Sequence, residues 1–219
     1  MQNISMHKLH DYFKIGTRVQ VGIFYFIVTD TVETEKNYLI GLRQSLPEEL
    51  QGRLVIKVLT TKTEDLISAC EEADIDPQYR QRWIVFDRDR VVNFDKIVED
   101  ATSKGIRVGW SNPCIEIWFS AYFGKMPAVQ ESVACWKGFA EQFEKKTGHN
   151  YSKSDHQIYA ILNKYGKEAD AIKCAECRYQ NHLRSGTSMP SKMCPCTTVH
   201  WLVDEIRKKA VHQDKNSTH

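Results

Sequence analysis

Residues 83–90 read WIVFDRDR: four large apolar side chains running straight into two aspartates separated by one arginine. A short apolar run bounded by charge predicts a strand buried on both faces. Such strands belong to parallel sheets covered by helices, where ligands bind beyond the carboxyl ends of the strands. Asp87 and Asp89 therefore stand where chemistry is expected. In an extended backbone alternate residues point the same way, so the two carboxylates can share one cation.

The flanking sequence extends this reading in both directions. Upstream, GIFYFIVT (22–29) and RLVIKVL (53–59) are further strand-like runs. TEKNYLIGLRQSL (34–46) spaces Tyr38, Leu39 and Leu42 as an amphipathic helix that Pro47 stops, and TEDLISACEEADI (63–75) predicts a helix with a Thr cap. Downstream come a short helix over 93–103 and a strand over 106–110. The alternation is βαβαβαβ, which predicts a mainly parallel, Rossmann-like sheet flanked by helices. Beyond Pro113 the segments 115–123, 129–146, 156–166, 168–183 and 197–209 all carry helical spacing and no strand. The expected organisation is a lead segment (1–20), an α/β core (21–125), a helical extension completing the same domain (126–210) and a disordered tail (211–219).

Lys and Arg number 30 against 28 Asp and Glu, a net charge of +2, so no global basic field announces a nucleic-acid binder. A polyanion must meet a local patch. The polar N-terminus lacks a signal-peptide core, and no apolar stretch approaches the roughly 20 residues that span a bilayer, so a cytoplasmic protein is expected. Seven cysteines, an odd number, argue against a closed disulfide framework.

More carboxylates follow the other strand-like runs. After 22–29 come Asp30, Glu33 and Glu35, with Asp30 the natural metal ligand and the others open to capping or macrodipole roles. After 106–110 comes SNPCIEIWF, where Asn112-Pro113 can start a helix with Glu116 in its first turn; the alternative for that carboxylate is a favourable charge at a helix N-terminus. Arg88 and Arg90 flank the aspartates as backbone clamps or as neutralising charges. Cys174 and Cys177, one helical turn apart, with Cys194 and Cys196 after a loop, have a spacing open to structural zinc, with His182 or His200 as substitutes; the alternative is free thiols on a helix face and a loop.

Several blocks together, TEKNYLIGL (34–42), WIVFDRDR (83–90), SNPCIEIWFSAYF (111–123), YSKS (151–154), AIKCAECR (171–178) and TTVHWLVDEI (197–206), resemble the RloB-like family, which carries a Toprim-type catalytic domain and occurs in bacterial phage-defence operons linked to abortive infection. The resemblance covers residues 22–208. It implies Mg²⁺ (or Mn²⁺) held by acidic residues after the first strand and by the D-x-D, and action on phosphodiester bonds. Asp87, Asp89 and Glu116 match family positions, as does Lys153 in YSKS, which suits a phosphate contact or a leaving oxygen, or else is a solvated surface Lys. Asp30-Thr31 stands where a Glu-Gly step is expected.

The expectation is a Toprim-type, metal-dependent endonuclease with Asp30, Asp87, Asp89 and Glu116 as metal ligands, Glu35 as base or outer ligand, and Lys153 in the catalytic set. From the resemblance its substrate is nucleic acid, RNA or tRNA before DNA, and its partner an ABC/AAA-type ATPase encoded nearby, in antiviral defence. Two rivals stay open. One is a Toprim scaffold that binds the ATPase without cutting. The other is a haloacid-dehalogenase-type phosphatase with Asp87 as nucleophile.

Overall fold

A computed structural model describes residues 24–51, 55–72, 80–89 and 91–216. Four parallel strands, β1 (Phe24–Thr29), β2 (Val55–Thr60), β3 (Arg80–Asp87) and β4 (Arg107–Asn112), lie in the order β2-β1-β3-β4. A two-residue strand, β5 (Cys196–Thr197), closes the β4 edge antiparallel at Ser111 and Asn112. The apolar runs are buried on both faces because side chains alternate. Tyr25 and Ile27 of β1 and Trp83 and Val85 of β3 enter one core, whereas Phe26, Val28, Ile84 and Phe86 enter a second. The sheet is Rossmann-like.

The second core is covered by α3 (Leu66–Glu71), entered through a 3₁₀ turn at Thr63–Asp65, and by α4 (Phe94–Ser103), which contribute Leu66, Cys70, Phe94 and Ala101. The first core is larger. It takes in α1 (Thr34–Gln44), α5 (Glu116–Ala121), α6 (Ser132–Thr147), α7 (Ile158–Tyr165), α8 (Glu168–Arg184) and α9 (Val199–Asn216), while a short α2 (Glu48–Gln51) follows Pro47. One apolar cluster thus runs from Tyr25 to Ala210, so the late helices and the sheet share a core. At Gly41, α1 meets α7 so closely that an added methyl would overlap the Tyr159 side chain. That contact sets α1 and the segment before α7 side by side.

The structure departs from the sequence expectations at several points. The second half is not wholly helical, since β5 pairs with β4; two residues carry no periodicity to read. Residues 211–216 continue α9 instead of forming a disordered tail. Thr63 does not cap a helix but donates its hydroxyl to Asp30 Oδ2 at 2.6 Å. The Asn112–Pro113 peptide is cis, and α5 starts only at Glu116. The lead segment 1–20, the start of the first strand-like run at 22–23, residues 53–54 of the second, the end of the expected helix at 73–75, Arg90 and the tail residues 217–219 lie outside the described residues. Among the described residues no helix is long and apolar enough to cross a membrane.

The β4 edge is tied to the start of α9 by threonines. Thr198 accepts from the Trp110 N–H (2.9 Å), donates its hydroxyl to the Val108 carbonyl (2.9 Å) and gives its own N–H to the Trp110 carbonyl (2.8 Å). Thr198 is wholly buried. Thr198→Val keeps the shape but strands an N–H and a carbonyl, so it is expected to destabilise the fold by about 2–4 kcal/mol, read from chemical denaturation.

Candidate metal centre

Strand ends gather acids at the carboxyl edge of the sheet. Asp30 follows β1, Glu35 lies in the first turn of α1, Asp87 is the last residue of β3, and Glu116 opens α5 just beyond β4. β1, β3 and β4 are neighbours, with Thr29 level with Val85 and Asp87 level with Ser111, so the four side chains converge.

Burial and mutual repulsion shape their ionisation. Burial, eased by the Thr31 hydroxyl and reinforced by the Asp30 and Glu116 carboxylates, pushes the Glu35 carboxyl up to about 7. Burial followed by the charges of Glu35 and Glu116 holds Asp87 well above the ordinary carboxylate range, against the lowering effect of the Ile115 N–H. Burial raises Asp30 as well, partly offset by Thr63. Like charges packed in a desolvated site want protons or a cation.

Each carboxylate has one oxygen held and one left over. Thr63 donates to Asp30 Oδ2, Thr31 to Glu35 Oε2, the Ile115 N–H to Asp87 Oδ2 at 3.0 Å, and Tyr151 to Glu116 Oε1 at 2.9 Å, with Lys153 Nζ 3.8 Å from that same oxygen. The opposite oxygens, Asp30 Oδ1, Glu35 Oε1, Asp87 Oδ1 and Glu116 Oε2, are buried and unpartnered. Among the described residues no three acidic, His or Cys side chains stand closed to coordinating geometry. What favours a cation is the donor chemistry: four hard oxygens, buried and unpartnered, are of the kind that divalent cations such as Mg²⁺, Mn²⁺ or Ca²⁺ take.

Two expected roles change. Asp89 stands outside this group. β3 ends at Asp87 and the backbone turns, with Val91 N–H bonded to the Arg88 carbonyl, so the alternation that would align Asp89 with Asp87 stops. Asp89 is exposed and faces an adjoining cavity of about 380 Å³ that Arg88, Asn112, Ser132 and Lys192 also line. Glu35, expected as base or outer ligand, is 1% exposed and one of the four acids with a buried, unpartnered oxygen. Glu33 is exposed and makes no side-chain cap. Arg88 is half-buried and donates to the Asp89 carbonyl, while Lys153 is half-exposed beside Glu116.

The sequence reading gives Thr31, Thr63 and Tyr151 no role in orienting the acids. Thr31 occupies the expected Gly position and orients Glu35; Tyr151 sits two residues before Lys153, in the block that carries it. Their signal was position next to an acid or inside a matched block, which a hydroxyl alone does not distinguish.

The four cysteines of the zinc expectation do not come together. Cys174 packs against the first core and Cys196 is buried in the second. Cys194 donates to the Val129 carbonyl at 3.5 Å, and exposed Cys177 meets Asn181 Nδ2 at 3.7 Å. The substitutes are engaged too, His182 with the Pro195 carbonyl at 3.3 Å and His200 with Glu176 at 2.8 Å. Pairing of β5 with β4 turns Cys196 inward, away from the Cys174 face of α8.

No curated protein and no solved structure matches the chain. A family model described as RloB-like protein matches residues 25–206, a span that contains every strand from Tyr25 onward, all four carboxylates of the site, and Tyr151 and Lys153. With most of its length so matched, the chain belongs to the RloB-like protein family.

Proposed function

We propose that this protein is a metal-dependent nuclease of Toprim type that hydrolyses nucleic-acid phosphodiester bonds. The observation that carries the reading is the set of four carboxylates, each with one buried and unpartnered oxygen, at the carboxyl edge of a parallel sheet. Asp30, Glu35, Asp87 and Glu116 would hold Mg²⁺ or Mn²⁺, which supplies Lewis-acid charge and orients a phosphate and a water. The chain's own groups do the rest. Thr31, Thr63, the Ile115 N–H and Tyr151 fix the carboxylates by their other oxygens. Lys153, half-exposed and 3.8 Å from Glu116 Oε1, would meet the phosphate's charge.

The resemblance of the sequence blocks supports an RNA substrate, tRNA among the candidates, an ABC/AAA-type ATPase partner and a role in antiphage defence. Incubating the protein with total RNA and with plasmid DNA in Mg²⁺, Mn²⁺ or EDTA, with and without that ATPase, tests substrate and metal together. Cleavage that needs the metal is expected; equal products in EDTA would remove the metal from the reading. A phosphatase using Asp87 as nucleophile fits less well, because burial favours its neutral form and one oxygen is tied to the Ile115 N–H.

Tyr151→Phe frees Glu116 Oε1 from its hydroxyl partner without emptying space. Loss of an orienting contact of this kind lowers metal affinity or turnover by about 10–100-fold. The expected result is a higher Mg²⁺ requirement with an unchanged far-UV spectrum.

A further inference from the structure

The loop that brings Tyr151 and Lys153 to Glu116 carries a third group. His156, exposed, sets its Nδ1 2.9 Å from the side-chain carbonyl Oδ1 of Asn37. Asn37 lies on α1 two residues past Glu35 and is 3% exposed. Loop 151–157 therefore touches Glu116 at one end and, through Asn37, the helix that carries Glu35 at the other.

Chemistry singles out this pair. A carbonyl oxygen only accepts, so Nδ1 carries the hydrogen and Nε2 is the nitrogen left for other work. Asn37 also leaves its own Nδ2 buried without a partner, a poor arrangement for stability alone. An amide that orients an imidazole through Nδ1 is a recurring way to aim Nε2 at a reacting atom.

We propose that His156, aimed by Asn37, is the general acid that protonates the leaving oxygen in phosphodiester cleavage; this rests on the nuclease reading above. In the imidazolium form both ring nitrogens carry hydrogen. Water oxygen forms the new bond to phosphorus, and its surplus proton passes to solvent. The bond from phosphorus to the leaving sugar oxygen breaks, its electron pair goes to that oxygen, and the oxygen takes the Nε2 proton. Neutral imidazole keeps its Nδ1–H on Asn37 and regains a proton from solvent. The products are a phosphomonoester and a free hydroxyl. His156 is the catalytic residue of this step and Asn37 its positioning residue.

The test compares leaving groups. Wild type, His156→Gln, His156→Ala and Asn37→Ala are assayed in Mg²⁺ and in Mn²⁺ on a polynucleotide and on bis(p-nitrophenyl) phosphate, whose nitrophenolate departs without a proton. General-acid help is worth about 10²–10⁴-fold, so His156→Gln should lower polynucleotide kcat at least about a hundredfold and change the activated ester less than about threefold. Asn37→Ala should show the same bias, more weakly, and added imidazole should restore His156→Ala. A residue that merely staples the loop would slow both esters together. Equal losses on both, or undiminished polynucleotide cleavage by His156→Gln, would overturn the proposal while leaving the nuclease reading intact. Wild-type protein that cuts neither ester in either metal, with or without the ATPase, would overturn both.

Discussion

Asp87→Asn is expected to abolish cleavage and, at the same time, to make the metal-free protein harder to unfold. Ionisation of Asp87 is opposed by burial first and then by the carboxylates of Glu35 and Glu116. Asn is nearly isosteric, and its side-chain oxygen can still accept from the Ile115 N–H that now bonds Asp87 Oδ2. What the substitution removes is charge. Without metal, one fewer buried carboxylate relieves repulsion by on the order of 1 kcal/mol, as is common where function has placed like charges together. With metal, a ligand is lost. Charge stabilisation by a metal is worth several kcal/mol, so a loss of about 10³-fold or more in kcat/KM is expected. Paired thermal melts in EDTA and initial rates in Mg²⁺ check both halves. Loss of stability together with unchanged cleavage would mean that Asp87 has a structural role only.

The second large effect is a pH-dependent response to divalent cation. Glu35 titrates near 7 in the folded chain against an ordinary value of 4.5, and Asp87 and Asp30 are displaced in the same direction. Folded protein without metal therefore holds protons that the unfolded chain releases. The stability Glu35 contributes is fully present below about 4.5 and is lost as pH rises through about 7, and Asp87 and Asp30 act in the same sense. A cation competes with those protons, so its stabilisation grows over the same interval. Cation at about a hundred times its Kd adds about 2.7 kcal/mol, or roughly 5–10 °C for a chain of this size. That rise is expected at pH 8 and should nearly vanish at pH 5.5, with NaCl of equal ionic strength as control. A rise independent of pH would place the ion elsewhere on the surface.

Much of this site is legible in the sequence. Asp87 and Glu116 stand out because each sits just where a buried strand gives way to a loop or helix, and strand ends in parallel sheets are where ligands bind. Asp89 is exposed, apart from the buried oxygens, for a physical reason: alternation holds only while the chain stays extended, and β3 stops at Asp87. Glu35 looked like a helix-end charge, which the macrodipole alone would explain. It is 1% exposed in a helix whose Tyr38, Leu39 and Leu42 join a core closed by residues far along the chain, and no local pattern shows that. The same holds for Tyr151 and His156, whose partners Glu116 and Asn37 lie 35 and 119 positions away.

The fold divides in the same way. Periodicity located the parallel strands and the major helices, because each reports how its own residues meet a core. It could not show β5 or the threonines that fasten the β4 edge, since those depend on pairing between Trp110 and Thr198 and not on any repeat. The replacement of Glu-Gly by Asp30-Thr31 proved informative. Asp30 enters the carboxylate group, and Thr31 takes up Glu35, so the altered corner still presents an unpartnered oxygen.

Calorimetric titration of Mn²⁺ into the wild-type chain, Asp87→Asn and Asp89→Asn at pH 7.5 reads out whether the buried carboxylates hold the cation. Wild type and Asp89→Asn should bind with similar affinity, and Asp87→Asn should bind at least about a hundredfold more weakly or not at all. Equal binding by Asp87→Asn, or loss in Asp89→Asn alone, would contradict a cation held by Asp30, Glu35, Asp87 and Glu116.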